Sequence, residues 1–340
     1  MTASPAVEIL PTHTPALFAV AVRRVAEQLR AGEVVALPTE TVYGLAANAL
    51  NADAVAKIYE AKGRPAHNPI IVHVAGVEMA QRCVARWPAV AGTLARAFWP
   101  GPLTLVLPKS AAIPGIVTAD GPTVGVRWPN HPFIQAVIRE CGFPLAAPSA
   151  NLSNQVSPTN AEHVRKQLGG RLRLIVDGGQ SQVGIESTVL DLTVEPPHVL
   201  RPGMIHAGTL AAVVGETRNA GRGTSRPADL RSPGLLRKHY APRAKFVVLS
   251  WHTTADLKSQ IAKSNLAPTE AHVVAHTRIP SGEGFAEVSV MPHDAEAFAR
   301  ALYAELHHCD ETGAKLIVVE SPPGLPEWSG IADRLNRAAA

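Results

Sequence analysis

Near the start of the chain, Phe18, Val22, Val25 and Leu29 recur at the spacing of a helix with one apolar face. Thr14 and Pro15 open that helix, a hydroxyl to cap free N–H groups and then a proline whose missing N–H costs nothing in the first turn. Gly32 stops it. The run E-V-V-A-L-P at 33–38 predicts a short buried strand, followed by the polar turn T-E-T-V-Y-G. A second helix over 52–61 buries Val55, Ile58 and Tyr59, and K-G-R-P ends it, because glycine and proline both oppose continuation.

Apolar runs predict further strands at 70–74, 103–107, 123–128, 144–148, 172–177, 187–192 and 198–201. Helices are expected near 78–86, 89–98, 131–141, 160–168 and 207–214. Strands and helices mixed in this way indicate one α/β domain built on a large twisted sheet with flanking helices. From Asn219 to Arg243, Gly, Arg, Pro and Ser displace the apolar periodicity, which is the texture of a linker. The pattern then restarts, with strands at 245–250, 272–276 and 315–320 and helices at 254–263, 294–309 and 327–338. Such alternation reads as a small doubly wound, Rossmann-like α/β domain. The expected division is therefore 1–218, a linker 219–243, and 244–340. The second domain has no G-x-G-x-x-G and is assigned no dinucleotide.

Composition narrows the class. With 340 residues, 46% hydrophobic and 18% charged, the chain is not a disordered one. No apolar stretch reaches the ~18 residues of a membrane span. The start M-T-A-S-P-A-V-E lacks the basic onset and apolar run of a secretory signal. Cys83, Cys141 and Cys309 are far apart and form no C-x-x-C. A cytoplasmic protein is expected. The net charge is +4, yet between 221 and 243 six basic residues face a single acid, Asp229. The basic character is thus local, a segment suited to meeting a polyanion.

Chemistry gathers at a few places. In A-K-G-R-P-A-H-N-P-I-I-V-H (61–73), Lys62 and Arg64 leave a helix end, with Asn68 and His73 following. The plain reading is charge compensation of the helix carbonyls; the functional one is that two cations, an amide and an imidazole share one junction. In A-A-P-S-A-N-L-S-N-Q-V-S-P-T (146–159), Ser149, Asn151 and Ser157 follow a strand, where hydroxyls and amides suit phosphate and ribose oxygens. Local turn capping is the plain alternative. Thr39, Glu40, Thr41 and Tyr43 lie in P-T-E-T-V-Y-G, and Glu186 and Ser187 in G-I-E-S-T-V-L-D-L. Arg127 and Arg201 sit in strand-like, apolar settings, where a buried arginine needs either an internal carboxylate or a ligand anion. No Gly-Lys dipeptide occurs, which excludes a P-loop, and no G-x-S-x-G strains a serine nucleophile. Cations, hydroxyls and amides without a carboxylate dyad suit binding and orienting a nucleotide.

Together, K-G-R-P…N-P-I-I-V-H (62–73), P-T-E-T-V-Y-G (38–44), A-P-S-A-N…S-P-T (147–159), I-E-S-T-V-L-D (185–191), L-R-P-G-M-I (200–205) and S-P-G-L-L-R-K-H-Y-A-P (232–242) resemble the threonylcarbamoyl-AMP synthase family. The form resembled is the two-domain one with a YrdC-like catalytic domain. Leu235 and Leu236 depart from the family pattern in the linker. The resemblance implies a nucleotidyltransferase that makes L-threonylcarbamoyl-adenylate and pyrophosphate from L-threonine, bicarbonate or CO2, and ATP. A separate threonylcarbamoyl transferase complex would use the product to modify tRNA. By the same resemblance Lys62, Arg64, Asn68, Thr123, Ser149, Asn151, Ser157, Arg201 and Tyr240 hold ATP, with Lys62 and Arg64 catalytic. Thr41, His73, Arg127, Ala147 and Ser187 hold threonine, Arg127 facing its carboxylate. Mg²⁺ rides on the triphosphate, and the basic linker is expected to act as a lid.

Two other readings compete. A non-catalytic module binding tRNA or double-stranded RNA would use the basic linker. However, aromatics are only 5% and none clusters with the Arg and Lys positions as a stacking platform. An O-carbamoyltransferase subunit would share the domain, but its zinc-finger cysteines and acylphosphatase segment are missing from this sequence.

Overall fold

The computed structural model describes residues 7–65, 67–219, 239–263 and 265–340. Most of the expected linker, Leu235 and Leu236 included, lies outside the described residues.

The first sheet is formed, among the described residues, by β1 (Glu8–Pro11), β2 (Val35–Leu37), β3 (Gly44–Asn48), β4 (Val72–His73), β5 (Leu103–Pro108), β6 (Thr123–Arg127), β7 (Leu145–Ala146), β8 (Leu174–Asp177), β9 (Thr188–Asp191), β10 (His198–Arg201) and β11 (Arg218–Asn219). Their order is β1-β8-β2-β3-β7-β4-β6-β5-β9-β10-β11, with parallel and antiparallel pairs mixed. Alternation along the strands separates two cores. Val35 and Leu37 of β2 face one, with helices Pro15–Arg30 and Pro132–Cys141, while Ala36 faces the other, with helix Ala52–Lys62. Thr14 caps the first helix by accepting from the Leu17 N–H at 3.2 Å, as its sequence predicts. Phe18 lies at the edge of that face and meets Phe133 edge to face, ring centroids 5.2 Å apart.

The second sheet orders β12 (Lys245–Leu249), β15 (Leu316–Glu320), β13 (Ala271–Ala275) and β14 (Glu287–Val290), all parallel. The sequence pattern missed β1, β3, β11 and β14. In β3, G-L-A-A-N offers small residues without the β-branched signature of a strand, and only its antiparallel neighbours β2 and β7 hold it extended.

The two domains share a core. Val42, Val156 and Ile185, from loops of the first, pack with Phe298, Leu302 and Tyr303 of helix Ala295–Glu311 and Ile331 of helix Ser329–Ala338. Contact is close enough to require glycine. Gly184, at φ +84°, has room for no side chain against the Ala299 carbonyl, and a Cβ on Gly330 would meet the Gly203 backbone at 2.9 Å. No helix among the described residues is long and apolar enough to cross a membrane.

Candidate functional site

Strand ends bring the site together. β4 and β6 are parallel neighbours whose register pairs His73 with Arg127, so each strand finishes on a site residue. Arg201 likewise closes β10, antiparallel to β9, and its Nη2 donates to the Ser187 hydroxyl at 3.1 Å and its Nε to the Ser187 carbonyl at 3.0 Å. Helix Ala52–Lys62 ends in a left-handed Gly63 (φ +59°), which turns the chain so that both Lys62 and Arg64 point inward and are buried.

Around these lies a cavity of about 550 Å³, its open mouth included. Arg64, Ser149, Arg201 and Tyr240 line it from the set assigned to ATP. All five residues assigned to threonine line it too: Thr41, His73, Arg127, Ala147 and Ser187. The remaining assigned residues lie elsewhere. Lys62 stands behind the wall, its Nζ donating at 2.5 Å to the carbonyls of both Ser149 and Asn151. Asn151 spends its amide N–H groups on the Leu152 and Gln155 carbonyls at 2.8 Å, the local capping its sequence also allowed. The Ser157 hydroxyl donates to Glu186 at 2.6 Å. Asn68 is buried, and its carbonyl accepts from Arg64 Nε at 3.1 Å. Thr123 opens onto a smaller adjoining depression with Thr104, and the Thr104 hydroxyl reaches Ser187 at 2.8 Å, joining the two walls.

Burial without full compensation sets the electrostatics. Burial, and then the nearby Arg64, hold the Lys62 ammonium well below the usual lysine range. Burial pulls Arg64 down to about 10 and lowers Arg201 as well. His73 is pushed down to about 3 by burial and by Arg127, so it is neutral near pH 7. Cations held in this strained state gain when an anion arrives. Arg127 is already partnered: it pairs with Glu40 at 2.5 Å and donates to the Thr41 hydroxyl at 2.9 Å. The internal carboxylate, one of two partners its sequence setting allowed, is present.

Other wall residues were not assigned to the site from sequence. Glu186 and His239 line the cavity. Glu186 is also held by Arg334 and Tyr303, from the second domain, at 2.8 and 3.1 Å. Nothing short of the fold could find partners more than a hundred residues apart. Tyr240 is buried at φ +60°, a left-handed conformation that costs a non-glycine residue roughly 1–2 kcal/mol. Strain of that kind collects at ligand clamps and switches. The described residues contain no group of three or more His, Cys, Asp or Glu able to hold a metal.

Comparison with known proteins adds the following. A family model described as telomere recombination, covering Sua5, YciO and YrdC, matches residues 27–203, and one described as threonylcarbamoyl-AMP synthase, C-terminal domain, matches 205–340. The threonylcarbamoyl-AMP synthase of Pyrococcus abyssi is 39% identical over 322 residues, covering 94% of each chain. That of Bacillus subtilis is 42% identical over 328 residues, covering 94% of this chain and 92% of its own. The crystal structure of P. abyssi Sua5 complexed with L-threonine superposes with a TM-score of 0.89 at 37% identity, over 98% of this chain and 97% of the other.

Proposed function

The chain belongs to the threonylcarbamoyl-AMP synthase family, and on that premise we propose how its cavity performs the synthesis. It is an enzyme of the nucleotidyltransferase type, and the non-catalytic RNA-binding alternative falls. The substrates we assign are L-threonine, bicarbonate or CO2, and ATP. The threonine amine and CO2 form a carbamate with loss of a proton. A carbamate oxygen then attacks the α-phosphorus of ATP, and pyrophosphate leaves with the bonding electrons.

Two anions must approach each other, so charge neutralisation and alignment dominate the task. A single cation ~4 Å from a phosphate oxygen contributes about 4 kcal/mol at an effective dielectric near 20, before desolvation. The observation carrying the proposal is the convergence of Arg64, Arg201 and Ser149 with Thr41, His73, Arg127 and Ser187 around one cavity. In this reading Arg64, Arg201 and Ser149 meet the phosphates, and Lys62 and Asn151 brace them from behind. Asn68 and Ser157 hold the surrounding loops, and Thr123 serves the nucleotide from the adjoining depression. Thr41, Arg127, Ser187 and the backbone at Ala147 receive threonine, and neutral His73 accepts a hydrogen bond from its amine side.

Mg²⁺ enters as part of the nucleotide substrate. Glu186, a carboxylate of the cavity wall, is committed to Arg334, and the described side chains form no ligand set of their own. His239 and Tyr240, at the end of the basic segment, close over the cavity as a lid that keeps water from the labile intermediates. The product passes in the cytoplasm to a separate transferase that modifies tRNA.

The test is incubation with ATP, bicarbonate and each amino acid in turn, following pyrophosphate. Threonine should respond, with serine at most a poor second. A response independent of the amino acid would overturn the assignment.

A further inference from the structure

Arg334 comes from the middle of the last helix, Ser329–Ala338, in the second domain, yet it ends against the cavity wall of the first. Its side chain is 1% exposed. Nε donates to Glu186 Oε2 at 2.8 Å, Nη2 to the Glu186 carbonyl at 3.1 Å, and Nη1 to the Pro202 carbonyl at 2.6 Å. The guanidinium also lies over the Tyr240 ring, 5.3 Å from its centroid, in cation–π geometry. The close seat of Gly330 on Gly203 brings the helix near enough for all of these contacts.

Glu186 is a junction. It accepts from the Ser157 hydroxyl at 2.6 Å and the Tyr303 hydroxyl at 3.1 Å, lines the cavity, and precedes Ser187, which binds Arg201. An arginine holding one residue by both its carboxylate and its main-chain carbonyl, while its face supports an aromatic ring, fixes both groups at once.

We propose that Arg334 is a positioning residue for the synthase reaction: it clamps Glu186 and carries Tyr240, so that the second domain completes the cavity wall of the first. The inference rests on the reading of this cavity as the adenylate-forming site. Loss of Arg334 would release Glu186, and with it Ser157 and the Ser187–Arg201 edge, and would remove the support beneath Tyr240.

The charge environment separates this role from that of a mere strut. Glu186 faces Arg334 on the last helix, itself paired with Asp333, Tyr303 on helix Ala295–Glu311, Arg201 on β10, and His239 and Tyr240 on the segment over the cavity. Burial pushes the Glu186 carboxyl up, and Arg334 and Arg201 outweigh it and hold it below the usual range. Without Arg334 the burial effect gains, and the carboxyl must rise.

The experiment uses full-length Arg334→Met and Arg334→Lys beside the unaltered enzyme. Threonine-dependent pyrophosphate release is followed between about pH 6 and pH 9, with kcat and KM separated at each pH. Arg334→Met should lower kcat about 10- to 100-fold, as losing an outer support of a site does, with threonine KM within about twofold. Its kcat should also fall further as pH drops, an acid limb the unaltered enzyme lacks. Arg334→Lys should recover much of the rate and move the limb back down.

A folded Arg334→Met enzyme with unaltered kcat overturns the proposal. So does a loss equal at every pH that lysine fails to rescue. If the methionine variant does not fold, Arg334→Gln, which keeps a donor but removes the charge, takes its place: a folded glutamine variant whose kcat and pH profile match those of the unaltered enzyme refutes the role. Failure of the unaltered enzyme to release pyrophosphate with threonine would sink the reading of the cavity instead, so the two failures are distinguishable.

Discussion

Arg127 and Glu40 form an ion pair sealed from solvent on both sides, 2.5 Å between Nη2 and Oε1, with side chains only 4% and 8% exposed. The pair stands at the end of the cavity we assign to threonine, where Thr41 holds Arg127 from a second direction at 2.9 Å. The guanidinium is therefore held and aimed by this protein's own side chains.

Replacing Arg127 by alanine should raise the threonine KM at least about tenfold and leave the ATP KM within about twofold. An equal rise in both would mean that the sub-sites are wrongly divided. The variant also strands a buried carboxylate, a defect of about 3–5 kcal/mol, so the melting temperature should fall. Glu40→Gln added to Arg127→Ala should restore part of that stability without restoring threonine affinity.

Removing the cations we assign to the phosphates should slow chemistry more than binding. Arg64→Ala should lower kcat for pyrophosphate release by about 10²–10³, the usual cost of a charge-stabilising donor. Lys62→Ala should follow it, because the Nζ that ties Ser149 to Asn151 is lost. Near-normal release in both variants would count against the phosphate assignment.

On the proposed assignment, Lys62 should link nucleotide binding to pH. Burial and Arg64 depress it behind the cavity wall, and a triphosphate nearby would raise it. Binding should then be accompanied by proton uptake, strongest once the pH exceeds the depressed value, and affinity should weaken as the pH rises further. Calorimetry of ATP binding in two buffers of different ionisation enthalpy measures the uptake directly. Lys62→Met should abolish it, and an unchanged uptake would remove Lys62 from the role.

The glycines between the sheets make a stability prediction. A methyl group on Gly330 would meet backbone atoms of Gly203 at 2.9 Å, and neither main chain can yield cheaply. Gly330→Ala should destabilise the protein by about 1–3 kcal/mol, read as a lower melting temperature and reduced pyrophosphate release together. Gly184→Ala, against the Ala299 carbonyl, should be at least as severe, since its φ of +84° adds backbone strain. Gly313→Ala, at positive φ with open space around it, is the comparison that isolates strain from contact.

Local pattern determined much of this protein. Periodicity placed the helices Pro15–Arg30 and Ala52–Lys62 within a residue or two, and the caps at Thr14 and Gly63 were legible because capping is a matter of neighbouring backbone atoms. The residues with chemistry were legible too, since cations and hydroxyls are rare in apolar strands such as β6 and β10. Strand β3 was not, because its small residues carry no propensity and its neighbours alone extend it.

The tertiary structure alone decided who partners whom. Arg127 could have waited for a ligand or found a carboxylate, and only packing put Glu40 beside it. Glu186 and Arg334 stand 148 residues apart in the chain and 2.8 Å apart in space. A charge shows in the sequence at one position, but its energy depends on every group within a few ångströms, and those groups are chosen by the fold.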